Sequence, residues 1–158
     1  MPQTDARRAG GAGSGSEAAE TVLLVDDNPD DRELTLMAIR VLAQRVEVLE
    51  AADGLEAMDA LRPGSDASSA ARPALILLDV NMPRLDGKQF LRRLRADEEL
   101  ARTPVIMFTT STAPWDVDES YAAGCNLYLV KPFAAEELKR MLGDVFRVYL
   151  DHAELPSR

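Results

Sequence analysis

Five short runs rich in apolar residues recur along this chain, and they limit its possible folds more than any other feature. Most hold four or five residues and stop at a turn or a polar residue, which is typical of strands buried on both faces of a sheet. The second run alternates only partly, as a more exposed edge strand does. The runs occupy residues 21–25, 46–51, 75–78, 104–108 and 126–130.

The segments between and after these runs have the signals of helices. Asn28 can cap a helix that begins at Pro29 and holds Asp30 and Asp31 in its first turn, where negative charge is favourable. Gly124 follows a later helical segment in the position of a C-terminal cap. We expect five helices, at about 29–45, 55–61, 88–95, 114–123 and 134–150.

The first and last predicted helices each have an apolar stripe that would face the core. In the first helix the stripe is Leu34, Met37, Ala38, Val41 and Leu42. In the last helix it is Leu138, Met141, Leu142, Val145, Phe146 and Tyr149.

Strands that alternate with helices, joined by right-handed crossovers, predict a mainly parallel sheet with helices on both faces. The expected fold is therefore a doubly wound α/β domain. In such a fold the carboxyl ends of all strands lie at one edge of the sheet, where ligands bind.

Charged or hydroxyl-bearing residues stand at the ends of four of the five runs. Asp26 and Asp27 end the first run, Asp79 the third, Thr109 the fourth and Lys131 the fifth. The predicted topology brings these five residues to the same edge, although together they span more than a hundred positions of the chain.

Three carboxylates at one edge repel one another, and the Lys131 ammonium balances only one of them. Mg²⁺, which prefers oxygen ligands, would neutralise the cluster. Such a site attracts a phosphoryl group, and an Asp carboxylate could act as its nucleophile to give an aspartyl phosphate. Taken singly, Asp26 and Asp27 are equally compatible with helix capping, and Tyr128 with an ordinary half-buried strand residue.

Composition excludes several classes of protein. The 158 residues suffice for one domain, and a formal net charge of −9 argues against binding to nucleic acid or anionic lipid. The apolar runs are far shorter than the roughly 20 residues that span a bilayer, and no apolar segment follows Arg7-Arg8 as in an export signal. We expect a cytoplasmic protein without a membrane segment.

The order and spacing of these strand-end residues, with Asn81-Met82-Pro83 and Asp86-Gly87, resemble the receiver domain of two-component response regulators. The resemblance covers residues 21–150 and implies a flavodoxin-like sheet with strand order 2-1-3-4-5. We expect a disordered arm at 1–20, because its Gly, Ala, Ser and charged residues cannot bury enough apolar surface. Residues 151–158 form a C-terminal tail.

The resemblance also implies roles for the residues at this edge. Asp79 would be the phospho-acceptor, with Mg²⁺ held by Asp79, by Asp27, by the backbone carbonyl of Asn81 and, through water, by Asp26. Lys131 would pair with the phosphoryl group. The protein would then carry out only its own phosphorylation and slow dephosphorylation, without being an enzyme in the usual sense.

Further features carry over from the family. Thr109 and Tyr128 resemble its switch pair, in which the hydroxyl moves to the phosphoryl group and the aromatic ring turns inward. The Lys131–Pro132 peptide would be cis, as an X-Pro bond in a tight turn can be.

We expect no output domain after residue 150, and therefore signalling through a changed protein-binding surface. The alternatives are a phosphorelay intermediate or a phosphate sink. Thr109-Thr110-Ser111, the loop at 63–72 and the long last helix are similar to regulators that accompany phytochrome-type histidine kinases. Such regulators often dimerise through the fourth helix, last strand and fifth helix. Apolar residues beyond one core-facing stripe favour a dimer here too: Val145, Phe146, Val148, Tyr149 and Leu150.

Two other classes share parts of this pattern. A metal-dependent phosphatase of the haloacid-dehalogenase type needs an acid/base carboxylate two residues after the nucleophile, and position 81 is Asn. A pseudo-receiver that serves only as a scaffold would not need the complete acidic set.

Overall fold

The computed structural model describes residues 19–62 and 72–156. Most of the predicted arm at 1–20, nearly all of the predicted loop at 63–72 and the last two residues of the tail lie outside this part of the chain.

The five predicted strands form one parallel sheet with the order β2-β1-β3-β4-β5, which confirms the flavodoxin-like topology. Its central strand ends are aligned, since Val25 pairs with both Ala51 and Leu78. β2 is an edge strand, as its partial alternation predicts. The strands are β1 Glu20–Val25, β2 Val46–Ala51, β3 Leu75–Leu78, β4 Val105–Thr109 and β5 Leu127–Val130.

Five α-helices connect and follow the strands: α1 Pro29–Leu42, α2 Gly54–Leu61, α3 Gly87–Ala96, α4 Pro114–Ala123 and α5 Ala135–Phe146. The last helix is shorter than predicted, because the chain changes to a π-helix over Arg147–His152. The predicted caps are present: Asn28 accepts from the amides of Asp30 and Asp31, and Gly124 ends α4 with a φ of 104°.

Alternate residues of the buried strands point to opposite faces of the sheet, so each face has its own core. α1 and α5 cover one face, where Leu36 and Leu142 pack against Leu24 and Leu77. α2 and α3 cover the other, where Ala57 and Phe90 pack against Leu23 and Ile76. These two layers of helices are those of a doubly wound domain.

The predicted core-facing stripe of α1 is wrong for most of its members. The buried face consists of Thr35, Leu36, Ala38 and Ile39. The helix is apolar around more than half of its circumference, and periodicity alone cannot decide which part faces the sheet. Four residues of the predicted stripe are exposed by 41% to 67% of their surface: Leu34, Met37, Val41 and Leu42.

No helix in the described ranges is long and apolar enough to cross a membrane.

Candidate functional site

Three carboxylates meet where β1 and β3 end. Asp26 and Asp27 follow β1 and Asp79 follows β3, and one carboxylate oxygen of each lies within 4.8 Å of the other two. Parallel pairing fixes this arrangement, because the Asp79 amide donates to the carbonyl of Val25 at 2.9 Å. Asp26 and Asp79 are buried, whereas Asp27 is exposed. The cluster thus opens to solvent on one side.

The Lys131 ammonium lies beside these carboxylates and is itself buried. It forms an ion pair with Asp26, and its Nζ lies 3.7 Å from an oxygen of Asp79 and 3.7 Å from one of Asp31. The backbone holds it there, since the Lys131 amide donates to the carbonyl of Thr109 at 2.7 Å. The four predicted residues from β1, β3 and the end of β5 are therefore in one place.

The pKa of Asp79 is raised above its usual value. Burial is the largest cause, and the negative charge of Asp26 adds to it. Lys131, the Thr109 hydroxyl and the Val80 amide act in the opposite direction without outweighing burial. The carboxylate form of Asp79 is therefore destabilised, and a bound cation would relieve this cost.

The loop between β3 and α3 folds back against the end of β3. The Val80 amide donates to the Asp79 side chain at 2.7 Å, and the Gly87 amide donates to the Val80 carbonyl at 2.9 Å. A Cβ at position 87 would lie 1.9 Å from the Asp79 carbonyl oxygen, so only glycine allows this approach. Asn81 is exposed in this loop.

An ion pair that the sequence does not predict ties this loop to the start of α2. The Arg84 Nε donates to Asp53 Oδ2 at 2.7 Å, and Arg84 adopts a left-handed φ of 64°. Burial alone would raise the pKa of Asp53, but the Glu56 amide, Arg84 and the Leu55 amide outweigh it and lower that pKa. The Asp53-Gly54 pair in the sequence indicates a turn, without any sign of this distant partner.

Thr109 and Tyr128 both approach the site from its β4–β5 side. Thr109 is buried, and its hydroxyl lowers the pKa of Asp79 through a hydrogen bond. The Tyr128 hydroxyl donates to the Ser111 carbonyl at 2.9 Å, and its half-buried ring packs against the core. The Tyr128 ring therefore lies inward, beside Ser111, in this structure.

The prediction of a cis Lys131–Pro132 peptide is wrong, because every peptide bond in the described ranges is trans. The two isomers of an X-Pro bond differ by only about 0.5–1 kcal/mol, so the surrounding structure selects one. The trans bond is compatible with the buried position of Lys131.

The residues present fit a hard divalent cation. They offer carboxylate oxygens, one of them exposed enough to leave room for water, and the cluster has an excess of negative charge. A phosphoryl group could bind between such an ion and Lys131, with an Asp79 oxygen in reach of phosphorus.

Comparison with known proteins agrees with this geometry. Residues 22–143 match the family described as the response regulator receiver domain. The chain belongs to this family. Receiver domains have a divalent metal site and take part in signalling by phosphorylation.

Individual relatives of this receiver are single-domain regulators. Response regulator Rcp1 of Synechocystis sp. is 32% identical over 142 residues, which are 90% of this chain and 97% of Rcp1. The phosphorylated cyanobacterial phytochrome response regulator RcpA is 35% identical, with a TM-score of 0.81 over 89% of this chain and 100% of RcpA. The Mn²⁺-bound form of Rcp1 has a TM-score of 0.77 at 33% identity, over 87% of this chain and 99% of that one.

Proposed function

We propose that this receiver, over residues 21–150, accepts a phosphoryl group from a sensor histidine kinase on Asp79 and signals through a changed protein-binding surface. The observation that carries the proposal is the group of three carboxylates with oxygens within 4.8 Å, next to a buried lysine. A cytoplasmic location belongs to the proposal, since phosphoryl donors made from ATP are found there.

In the proposed reaction an Asp79 oxygen forms a bond to phosphorus while the bond between phosphorus and the donor histidine nitrogen breaks. The electron pair of that bond goes to the imidazole nitrogen. Lys131 would balance charge on the phosphoryl oxygens, and the Thr109 hydroxyl would donate to one of them. Tyr128, which already lies inward beside Ser111 in this structure, would keep that position in the phosphorylated protein.

The proposed metal ligands are Asp27, Asp79 and the backbone carbonyl of Asn81, with Asp26 acting through water. Mg²⁺ is the proposed ion, and when bound it would supply positive charge to the phosphoryl oxygens. The exposure of Asp27 and Asn81 supports this assignment, because a partly hydrated ion needs ligands at the open side of the cluster.

Asp27→Asn should weaken Mg²⁺ binding by at least roughly tenfold, since even outer-shell partners of a metal contribute that much. Isothermal titration with magnesium chloride measures the affinity. Asp30→Asn is the matched control, because Asp30 is exposed in the same segment and outside the carboxylate group. Equal affinity in the two variants would contradict the assignment of Asp27.

The exposed apolar face of α1 supplies a docking surface for the kinase. Leu34, Met37 and Val41 line a cavity of about 730 Å³ with Phe133 and Lys131, so this surface is continuous with the acceptor site. Phe133 is fully exposed. A donor histidine must approach Asp79 closely, and a kinase domain that covers this face would bury otherwise exposed apolar area. The similarity to RcpA and Rcp1 supports a phytochrome-type kinase as the donor.

Leu34→Gln and Met37→Gln should each slow phosphoryl transfer from a kinase by roughly tenfold, which corresponds to the loss of one buried apolar contact. Labelling by acetyl phosphate should stay unchanged, because this small donor needs no docking. Leu55→Gln is the control, since Leu55 is also partly exposed but lies on α2. If the variants slow both kinase transfer and acetyl phosphate labelling, or slow neither, this surface is not the docking site of the kinase.

We also propose a homodimer through α4, β5 and α5. β5 is an edge strand, and Leu127, Leu129, Met141 and Val148 line an apolar groove of about 500 Å³ beside it. Its rim holds charges of both signs: Glu137, Arg140 and Asp144. A self-complementary surface of this kind suits a two-fold axis. Of the surplus apolar residues, Val145 and Phe146 belong to the core, whereas Val148 is 53% exposed.

Sedimentation equilibrium at tens of micromolar should therefore detect a dimer. Val148→Glu should give monomer, because the dimer interface would have to bury the charge of the new side chain. Val41→Glu, on the exposed face of α1, should leave the dimer intact. A wild-type protein that is only monomeric would refute this part of the proposal.

A further inference from the structure

A partly buried ion pair joins α3 to α4 outside the carboxylate cluster. Lys88 Nζ lies 3.0 Å from Asp116 Oδ1 and 2.5 Å from Glu119 Oε2. The side chains of Lys88 and Asp116 are only 14% and 10% exposed. Taking such a pair out of water is costly, and the pair is favourable only where its remaining polar atoms also find partners.

Asp116 has such a partner in Ser111, and Ser111 contacts both members of the proposed switch pair. The Ser111 hydroxyl donates to Asp116 Oδ2 at 2.5 Å. The Ser111 amide donates to the Thr109 hydroxyl oxygen at 3.3 Å, and its carbonyl accepts from the Tyr128 hydroxyl at 2.9 Å. Because the Thr109 oxygen accepts from Ser111, its own hydrogen is free to point at Asp79.

The start of α4 has few other stabilising contacts. Within this helix only Asp116 and Ser120 are buried, and both are polar. Ser120 Oγ is the one buried side-chain polar atom in the described ranges that lacks a hydrogen-bond partner. Ala113, the N-cap residue that precedes α4, provides no side-chain hydrogen bond to the first turn. The position of the first turn, and of the loop before it, therefore depends on the bonds of Asp116.

The ionisation of the pair agrees with this geometry. The Ser111 hydroxyl and Lys88 lower the pKa of Asp116 against the effect of burial. The hydrogen bond to Glu119, with the contribution of Asp116, raises the pKa of Lys88. Both side chains are therefore charged at neutral pH. Each also has a second partner, Ser111 for Asp116 and Glu119 for Lys88.

We propose that Asp116, held by Lys88, is a positioning residue that fixes Ser111 and thereby keeps Thr109 and Tyr128 in their inward arrangement. The inference rests on the proposed function in one respect, because only an acceptor at Asp79 gives this arrangement a chemical effect. Helix α3 is then coupled to the acceptor site through one side chain that contacts neither metal nor phosphoryl group.

The test uses the full chain with fluorine-labelled tyrosine and has two readouts. The ¹⁹F resonance of Tyr128, identified by its loss in Tyr128→Phe, reports the switch in unphosphorylated protein. The rate of labelling by acetyl phosphate with Mg²⁺ reports the chemistry. Asp116→Asn and Lys88→Met should each shift the Tyr128 resonance and slow labelling by roughly tenfold, less than the loss of a direct transition-state donor.

The controls are matched in charge and element. Asp118→Asn on α4 and Arg92→Met on α3 replace exposed residues and should match wild type. Lys88→Arg, unlike Lys88→Met, should retain most of the wild-type labelling rate and the wild-type Tyr128 resonance, because arginine keeps the positive charge. If Asp116→Asn does not fold, Lys88→Met carries the same test.

The outcomes separate this inference from the proposed function. A folded Asp116→Asn or Lys88→Met with the Tyr128 resonance and labelling rate of its control would overturn the inference. A shifted resonance in a chain whose wild type cannot be labelled would support the coupling and refute the acceptor.

Discussion

Asp79→Asn should abolish labelling of the protein by acetyl phosphate, because the substitution removes the carboxylate that we propose as the phospho-acceptor. Asp79 lies at the centre of the site, within reach of Lys131 and the Thr109 hydroxyl. Asparagine keeps the size of the side chain and can still accept from the Val80 amide, so the loop is retained while the nucleophilic oxygen is lost. Intact-protein mass measurement after incubation with donor and Mg²⁺ detects the added group.

The same variant should unfold at a higher temperature than wild type when Mg²⁺ is removed. Burial and the charge of Asp26 raise the pKa of Asp79, so its ionised form opposes folding at neutral pH. Asparagine removes that charge. Asp118→Asn, exposed on α4, is the control and should change neither labelling nor the melting temperature. Retained labelling in Asp79→Asn would place the acceptor elsewhere.

The carboxylate cluster could be predicted from the sequence because it depends on topology alone. Each of Asp26, Asp79 and Lys131 directly follows a strand, and parallel pairing brings strand ends together without regard to side-chain detail. The same reasoning placed Thr109 at this edge, where it ends β4.

Features that depend on packing between distant segments could not be predicted. The Arg84 and Lys88 ion pairs join positions about thirty residues apart, and no local pattern marks either one. The buried face of α1 is a related case, since two adjoining apolar faces compete and only the sheet beneath selects Leu36 and Ile39. The isomer of the Lys131–Pro132 bond was likewise beyond local sequence signals.

The close approach of Gly87 to the backbone of Asp79 gives the second large expected effect. A Cβ there would lie 1.9 Å from the Asp79 carbonyl oxygen and 2.9 Å from the carbonyl carbon, both backbone atoms that cannot turn away. Gly87→Ala should therefore lower the free energy of unfolding by about 3 kcal/mol, as severe overpacking does. Urea denaturation measures this change.

Gly143→Ala provides a control of opposite sign. Gly143 lies inside α5, and a Cβ there would meet only the Leu42 side chain at an ordinary 3.7 Å. Alanine should stabilise the helix by about 0.5–1 kcal/mol, because glycine loses more backbone entropy on folding. The two substitutions add the same methyl group, so a difference of sign between them isolates the contact with Asp79. Mg²⁺ affinity should fall only in Gly87→Ala, since the loop that carries Asn81 must move to relieve the clash.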